Sequence, residues 1–403
     1  MSRRDFSKVF FVMAALTLAT FGMFTYPTLG PLFTEIYEWT PAQIGWLMSA
    51  FYIGATLTSM ISGSLTDRYG TTRCLTAGLI IIGTNVFLAS FPPWYGGKLV
   101  FIALAGVGYS LVNPAINKMV VVDFPDRIRA TVMSLKQMGL SAGGMVAASL
   151  LPFLSVYFGW QSAVYTGAGL ILAFVVYILL TQDEKKPDQR KKSKNMEAVS
   201  YRSILRDKNV LFISSAGLLL ALAQFVSITY LVLFLQSERG LGFIEASKYL
   251  ALYQFAGITG RFVWGWSSDY ILKNRKYLMI IVTLCSALFL LGFVFLSQFT
   301  SGFLLGVLIF MLGFCISGWP GLYLTLLVST VETEYVGKVT GFGMMLTYSG
   351  ILIGPSLFGL SLNYVSFTYS WIAVAVLTVI AALLLTGMQE RTEEEKAGQV
   401  STQ

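Results

Sequence analysis

Three cationic side chains stand where an apolar chain has least use for them. Arg261, Lys136 and Lys118 each lie inside a long hydrophobic stretch, and no Asp or Glu sits in the middle of any such stretch. An unpaired cation in hydrocarbon costs at least about 2.5–3.5 kcal/mol, so each should face a polar space and find a counter-ion there. With no acid in the same stretches, the simplest counter-ion is an anion arriving from solution. Tyr253, Gly257 and Arg261 follow an i, i+4, i+8 pattern, so one helix face carries a phenol and a guanidinium. That pair suits a carboxylate, which a guanidinium grips with two parallel hydrogen bonds. Lys136 heads Lys136-Gln137-Met138-Gly139, and Asn113 and Asn117 share nearly one face just before Lys118. Lys118 is also close to Asp123, and its stem is long enough to reach the membrane surface. For Lys118 a cavity role and a surface role both stand.

Aromatic residues would size such a ligand. Trp319 and Tyr323 are one turn apart around Pro320 and Gly321, Tyr26 precedes Pro27, and Tyr230 occupies the matching place in the second half. The alternative for each is packing, because 14% of the chain is aromatic. The candidate binding set is therefore Arg261, Lys136, Lys118, Tyr26, Tyr230, Tyr253, Trp319, Tyr323, Gln137 and Asn117.

Other chemistries lack their parts. The chain has no histidine, so the commonest metal ligand and any triad built on His are missing. Cys74, Cys285 and Cys315 are far apart in apolar surroundings, with no CxxC spacing. There is no phosphate-binding Gly-x-x-x-x-Gly-Lys loop. No catalytic residue, metal or cofactor is expected, and the chain is not expected to be an enzyme.

The elements that must hold these residues are membrane helices. Of 403 residues 55% are hydrophobic and 12% charged, about half the charged fraction of a soluble domain. A crossing needs about 20 apolar residues, and twelve stretches qualify: 9–33, 42–65, 73–92, 97–122, 130–154, 161–181, 209–235, 245–267, 277–297, 303–329, 338–361 and 369–387. The first follows Arg3, Arg4 and Lys8 but is longer than a signal-peptide core, and is taken as a retained span. The expected fold is an all-α membrane protein of twelve transmembrane helices in two six-helix bundles, 1–181 and 209–387. A polar linker, 182–208, joins them, and 388–403 forms a tail. Arg68, Arg73, Arg127, Arg129, Lys276, the bases of the linker and those of both termini fall on one side, whereas Lys98, Arg239 and Lys248 fall on the other. The positive-inside rule then places both termini in the cytoplasm. The net charge of +8 is thus mostly a topology signal, with a lipid bilayer as partner and no nucleic acid.

The halves repeat. Gly63-Ser-Leu-Thr-Asp67-Arg68 after the second stretch matches Gly265-Trp-Ser-Ser-Asp269-Tyr270 after the eighth. Gly139-x-x-x-Gly143 matches Gly350-x-x-x-Gly354, and Tyr26 matches Tyr230. Related halves of this kind pack around a site near the midplane.

In these features the chain resembles the major facilitator superfamily. Gly63, Asp67, Arg68, Gly70 and Arg73 stand in the spacing of its loop signature, while Thr71 and Thr72 replace the usual bases. The resemblance implies that this loop, with Asp269, is a conformational latch. Arg261 looks like the eighth-span Arg of monocarboxylate and oxalate–formate carriers, with Gly257 where monocarboxylate carriers have Asp. Trp319 and Tyr323 resemble the aromatic cage of oxalate–formate carriers, whose eleventh-span Lys is missing here. Asn117-Lys118, Phe124-Pro125, Arg129 and Lys136-Gln137-Met138-Gly139 are similar to cyanate and nitrate carriers. Gly350, Gly354 and Pro355 resemble an antiporter signature in a different span; with Gly139 and Gly143 they are expected to form hinges. The span-4 Arg often used for proton coupling is absent.

The expectation is a secondary transporter for a small organic anion of the monocarboxylate kind, monomeric, in the cytoplasmic membrane, with a proton or counter-anion as an optional partner. Two alternatives stand beside it: a proton-coupled drug or metabolite exporter, which would want a cavity acid, and a non-transporting receptor, which would want a soluble domain.

Overall fold

Helix boundaries follow local chemistry. Thr40 caps the second helix through a reciprocal box with Gln43, and Pro41 takes the first turn, where its missing N–H is harmless. Asp207 accepts from the amides of Asn209 and Val210 and starts the seventh. Gly240, in the left-handed region at φ 63°, ends it.

The computed structural model describes residues 3–181, 207–272, 274–296, 301–331 and 336–388. Among them are thirteen helices and no strand. The first six are α1 (Arg3–Tyr37), α2 (Pro41–Tyr69), α3 (Thr71–Leu88), α4 (Tyr95–Asp123), α5 (Asp126–Phe158) and α6 (Trp160–Thr181). After the linker come α7 (Lys208–Arg239), α8 (Phe243–Tyr270), α9 (Arg275–Leu296), α10 (Gly302–Ile316), α11 (Pro320–Ser329), α12 (Val336–Ser361) and α13 (Phe367–Thr386). Most of the linker and the tail expected at 182–208 and 388–403 lie outside the described residues.

Each of the twelve stretches coincides with one helix, except the tenth, which is α10 followed by α11. The break falls at Ser317–Trp319, just where Pro320 starts a new helix. Ten spans are long and apolar enough to cross a membrane, and α2 adds an eleventh if its 60° bend between Ser59 and Ile61 is read as one span. The remaining helix, α8, has 28 residues, ample length at 1.5 Å per residue. It misses on apolarity because it carries Glu245, Lys248 and Arg261.

Helices α1–α6 pack mainly on one another, as do α7–α13. The two sets meet chiefly where α2 crosses α12 and where α5 crosses α8. An added methyl at Gly139 would lie 2.9 Å from the Met13 carbonyl, and at Gly143 2.4 Å from that of Thr17, so both glycines let α5 touch the backbone of α1. Gly350 and Gly354 do the same for α12 on α7, against the Leu218 carbonyl and Leu222. The repeated pairs, expected as hinges, therefore make equivalent close contacts inside the two sets.

Candidate functional site

The crossing of α5 and α8 is a short ladder. The helices run antiparallel, and three rungs face each other: Gly144 with Gln254, Ser141 with Gly257, and Gln137 with Arg261. A methyl at Gly144 would lie 2.0 Å from Gln254 Nε2, and one at Gly257 would lie 3.3 Å from Ser141 Oγ and 2.8 Å from the Ser317 β-carbon. Only glycine permits so close an approach there. At the third rung the Arg261 Nη1 donates to the Gln137 carbonyl, while its Nε donates to the Ser317 carbonyl at 3.0 Å. Arg261 thus ties one half to the other and also braces the break between α10 and α11. Its Nη2 is buried without a partner, as are Ser141 Oγ and Gln254 Nε2.

Among the described residues no carboxylate pairs with Arg261. The phenols of Tyr109 on α4 and Tyr253 on α8 are near its guanidinium, and Tyr253 accepts from Ser317 Oγ at 3.0 Å. Rings continue across the halves. Phe51 packs on Tyr109 (5.5 Å between centroids) and on Tyr52 (5.9 Å), Tyr52 meets Tyr348 (5.6 Å) and Phe225 (5.7 Å), and Phe225 stacks on Phe24 (6.4 Å). The arrangement offers one half-buried cationic fork with a spare donor beside an aromatic wall. It is suited to a carboxylate attached to an apolar or ring-shaped body.

The other expected residues distribute as follows. Lys136 is 3% exposed and donates to Asn117 Oδ1, bringing two of the expected residues together; among the described residues no acid pairs with it. Gln137 contributes its backbone carbonyl. Lys118 departs from a cavity role: its ammonium donates to Asp67 at 2.6 Å, tying α4 to the end of α2. Its counter-ion comes from a neighbouring helix end, which a search for acids within the spans misses. Tyr26 points away from the central face and donates to the Val86 carbonyl of α3 at 3.1 Å. Trp319 donates to Gln224 Oε1 at 3.0 Å and packs on Tyr323, 5.3 Å between centroids. Tyr323 in turn accepts from Thr347 at 3.4 Å, so this pair is engaged inside the second half.

Tyr230 belongs to a second inter-half contact, on the side opposite the α2–α3 loop. Its phenol reaches the carbonyls of Pro41 and Pro355, each at 2.8 Å. It has a single hydrogen, so it donates to one at a time. Gly45 and Gly359 make room: a methyl at Gly45 would lie 2.2 Å from the Pro355 carbonyl, and one at Gly359 2.2 Å from the Tyr230 hydroxyl. Ser49 Oγ meets Ser356 Oγ and the Leu352 carbonyl, both at 2.5 Å. Gln236 Nε2 donates to Glu35 at 3.3 Å nearby. Gly45 and Ser49 did not stand out in the sequence, whereas Ser356 and Gly359 belong to the antiporter-like stretch that runs from Gly350 to Gly359. The signal that would have found them is small residues four apart, Gly45 with Ser49 and Pro355 with Gly359.

At the α2–α3 loop Gly70 has φ 92°, which favours glycine, and its amide donates to Thr66 as α2 ends. Asp67 is 73% exposed and paired with Lys118, Arg68 lies 5.3 Å from the Tyr69 ring, and Gly63 has open space around it. Arg73 is exposed and engaged in an interaction of its own. The side chain of Asp269 lies outside the described residues.

Lys98, which like Lys136 is a buried cation, shows that burial alone makes no site. Lys98, expected in a loop, is 3% exposed. It donates to the Ala89 and Ser90 carbonyls and lies 5.1 Å from the Trp160 ring. It is satisfied by the protein, whereas Arg261 is not.

The family model described as Major Facilitator Superfamily matches residues 10–355. A hexuronate transporter of Bacillus subtilis (strain 168) is 24% identical over 369 residues, covering 88% of this chain and 87% of its own. A 4-hydroxybenzoate transporter, PcaK, of Pseudomonas aeruginosa is also 24% identical, over 405 residues, with the same two shares, 88% and 87%. Among solved structures, a bacterial homologue of the human lysosomal transporter Spinster superposes with a TM-score of 0.77 at 15% identity, over 98% of this chain and 99% of that one.

Proposed function

Since the chain belongs to the major facilitator superfamily, and so is a multi-pass membrane protein of a transporter family, we propose that it carries a small organic monocarboxylate across the cytoplasmic membrane by alternating access. The observation that carries this reading is Arg261: a half-buried guanidinium on the inter-half crossing, with no acid partner among the described residues and a buried Nη2 left without a partner. The relatives named for hexuronate and 4-hydroxybenzoate transport support the substrate class. With the loop-rich basic side in the cytoplasm, the Tyr230 contact closes the external side. Arg261 then lies at the closed α5–α8 crossing, bonded to the Gln137 and Ser317 carbonyls, and meets the anion as that crossing opens. Lys136, held by Asn117 on the adjoining face of α5, adds a second positive charge to the approach.

Anion binding must lower the barrier between states by binding them unequally. Arg261 provides the means. A carboxylate taking both terminal nitrogens draws Nη1 from the Gln137 carbonyl, so occupancy loosens a bond between the halves.

The test is uptake into proteoliposomes from a panel of labelled carboxylates, neutral analogues and organic cations, with and without an imposed pH gradient. Uptake restricted to carboxylates is expected. Carriage of neutral or cationic solutes alone would discard the anion reading and favour the exporter, and the gradient separates proton symport from exchange.

A further inference from the structure

Among the described residues seven buried side-chain polar atoms have no hydrogen-bond partner, and three of them, Ser141 Oγ, Gln254 Nε2 and Arg261 Nη2, share the single crossing of α5 and α8. The other four are scattered over Ser214, Gln236, Ser247 and Trp371. Each unmet group costs roughly 1–3 kcal/mol, so a row of three in one contact is a standing demand for a partner. The row is also linear. Gln254 and Arg261 are seven residues apart on one helix, which is about 10 Å of axis, with Ser141 between them on the facing helix. Ser141 and Gln254 are each 1% exposed, and the guanidinium alone accounts for one end of any ligand. The anion reading above explains Arg261 and leaves the other two rungs unexplained.

We infer that the substrate is a carboxylate carrying a hydroxyl at the far end of a ring or short chain, with the carboxylate on Arg261 and the hydroxyl on Gln254 and Ser141. This rests on the anion reading and goes beyond it by fixing the second end of the ligand. A hydroxyl both donates and accepts, so it satisfies an amide and a serine together. A short acid such as formate or lactate cannot span the row. The crossing is shut in this conformation, with Gln254 against Gly144 and Arg261 on the Gln137 carbonyl. The ligand therefore meets the rungs as α5 and α8 part, and it replaces contacts between the halves with contacts to itself. The shared chemistry, a ring with carboxylate and hydroxyl on opposite sides, is found in hydroxylated aromatic acids and in sugar acids alike.

The experiment compares half-saturation constants for uptake of 4-hydroxybenzoate, benzoate, glucuronate and lactate in wild-type, Gln254→Leu, Ser141→Ala and Arg261→Gln proteoliposomes. Size-exclusion profile and thermal unfolding are recorded for each variant. The expected result is a preference of about tenfold or more for one hydroxylated ring acid, the size of one well-made bond to a buried group. Either 4-hydroxybenzoate over benzoate or glucuronate over cyclohexanecarboxylate, added to the panel as its plain ring counterpart, meets it, and which of the two appears tells a flat ring from a sugar ring. The preference should fall to near unity in Gln254→Leu and by several-fold in Ser141→Ala. Equal handling of hydroxylated and plain acids by the wild type overturns the proposal, as does a preference that survives in both variants. Arg261-dependent uptake of lactate alone overturns it while leaving the anion reading intact. Uptake of every acid that is indifferent to Arg261→Gln removes both.

Discussion

The two crossings that join the halves are built alike and finished differently. Both bring antiparallel helices close through glycine: Gly45 and Gly359 face backbone carbonyls at one, whereas Gly144 and Gly257 face the side chains of Gln254, Ser317 and Ser141 at the other. At the α2–α12 crossing the polar atoms of the helix contact itself are matched, with Gln236 Oε1 beside it the one left over among the described residues: Tyr230 finds two carbonyls, and Ser49 finds Ser356 and Leu352. At the α5–α8 crossing three atoms are left over. A satisfied contact can close and stay closed without a ligand, whereas an unsatisfied one has free energy to give to whatever enters. The first behaves as a seal and the second as a site. The Tyr230 phenol sharpens the contrast. Pro355 lies in its own half and Pro41 in the other, so when the halves part it keeps one acceptor and is never orphaned.

That comparison can be broken from either side. The largest effect should come from Arg261→Gln, which keeps a polar side chain but removes the charge and the fork of donors. Loss of a charge-assisted bidentate contact, roughly 3 kcal/mol or about 100-fold, should appear in equilibrium binding of the transported carboxylate, beyond the smaller loss of stability expected from its bonds to the Gln137 and Ser317 carbonyls. Gly45→Ala is next. Its methyl would lie 2.2 Å from a backbone carbonyl that has little room to yield, and overpacking of that kind costs about 1–3 kcal/mol. Spin labels on the exposed Trp94 and Tyr364 sites, on the sealed side of the two halves, should show a longer-distance population. An unchanged distance distribution would mean the contact is no seal. Tyr230→Phe removes a hydrogen bond without adding bulk. The same labels should report a smaller shift, on the order of 1 kcal/mol or a few-fold in population. The smallest effect is expected for Tyr26→Phe, whose phenol bonds Val86 inside one half. It should lower stability by about 1 kcal/mol and leave carboxylate affinity and label distances unmoved. Altered substrate affinity in Tyr26→Phe would move that residue back into the site.

Much of this was legible beforehand where the signal was local. The spans follow from runs of apolar residues, and their ends from Thr40-Pro41, Asp207 and Gly240. Arg261 stood out because a lone guanidinium has no cheap place in hydrocarbon. The pairing of residues between helices was not legible. Lys118 and Tyr26 looked like site residues from composition alone, yet Asp67 and Val86 reach them from neighbouring helices. Gln254 and Ser141 looked ordinary, because one amide and one hydroxyl among many carry no mark until their partners are counted in space. Tyr230 was singled out as the repeat mate of Tyr26, but the two phenols serve different contacts: one packs inside its half, the other closes the gap between halves.

The sequence by itself determined the membrane fold, its repeat and the presence of buried cations, because hydropathy, Pro and Gly placement and charge act over a turn or a span. Only the tertiary structure decided which cation is free. Lys98 and Arg261 are both cations on helices, one in a first turn and the other well inside. One folds onto two carbonyls and a Trp ring, and the other onto carbonyls that leave a nitrogen over. That difference lies in what surrounding helices present to each ammonium or guanidinium, and no spacing along the chain encodes it.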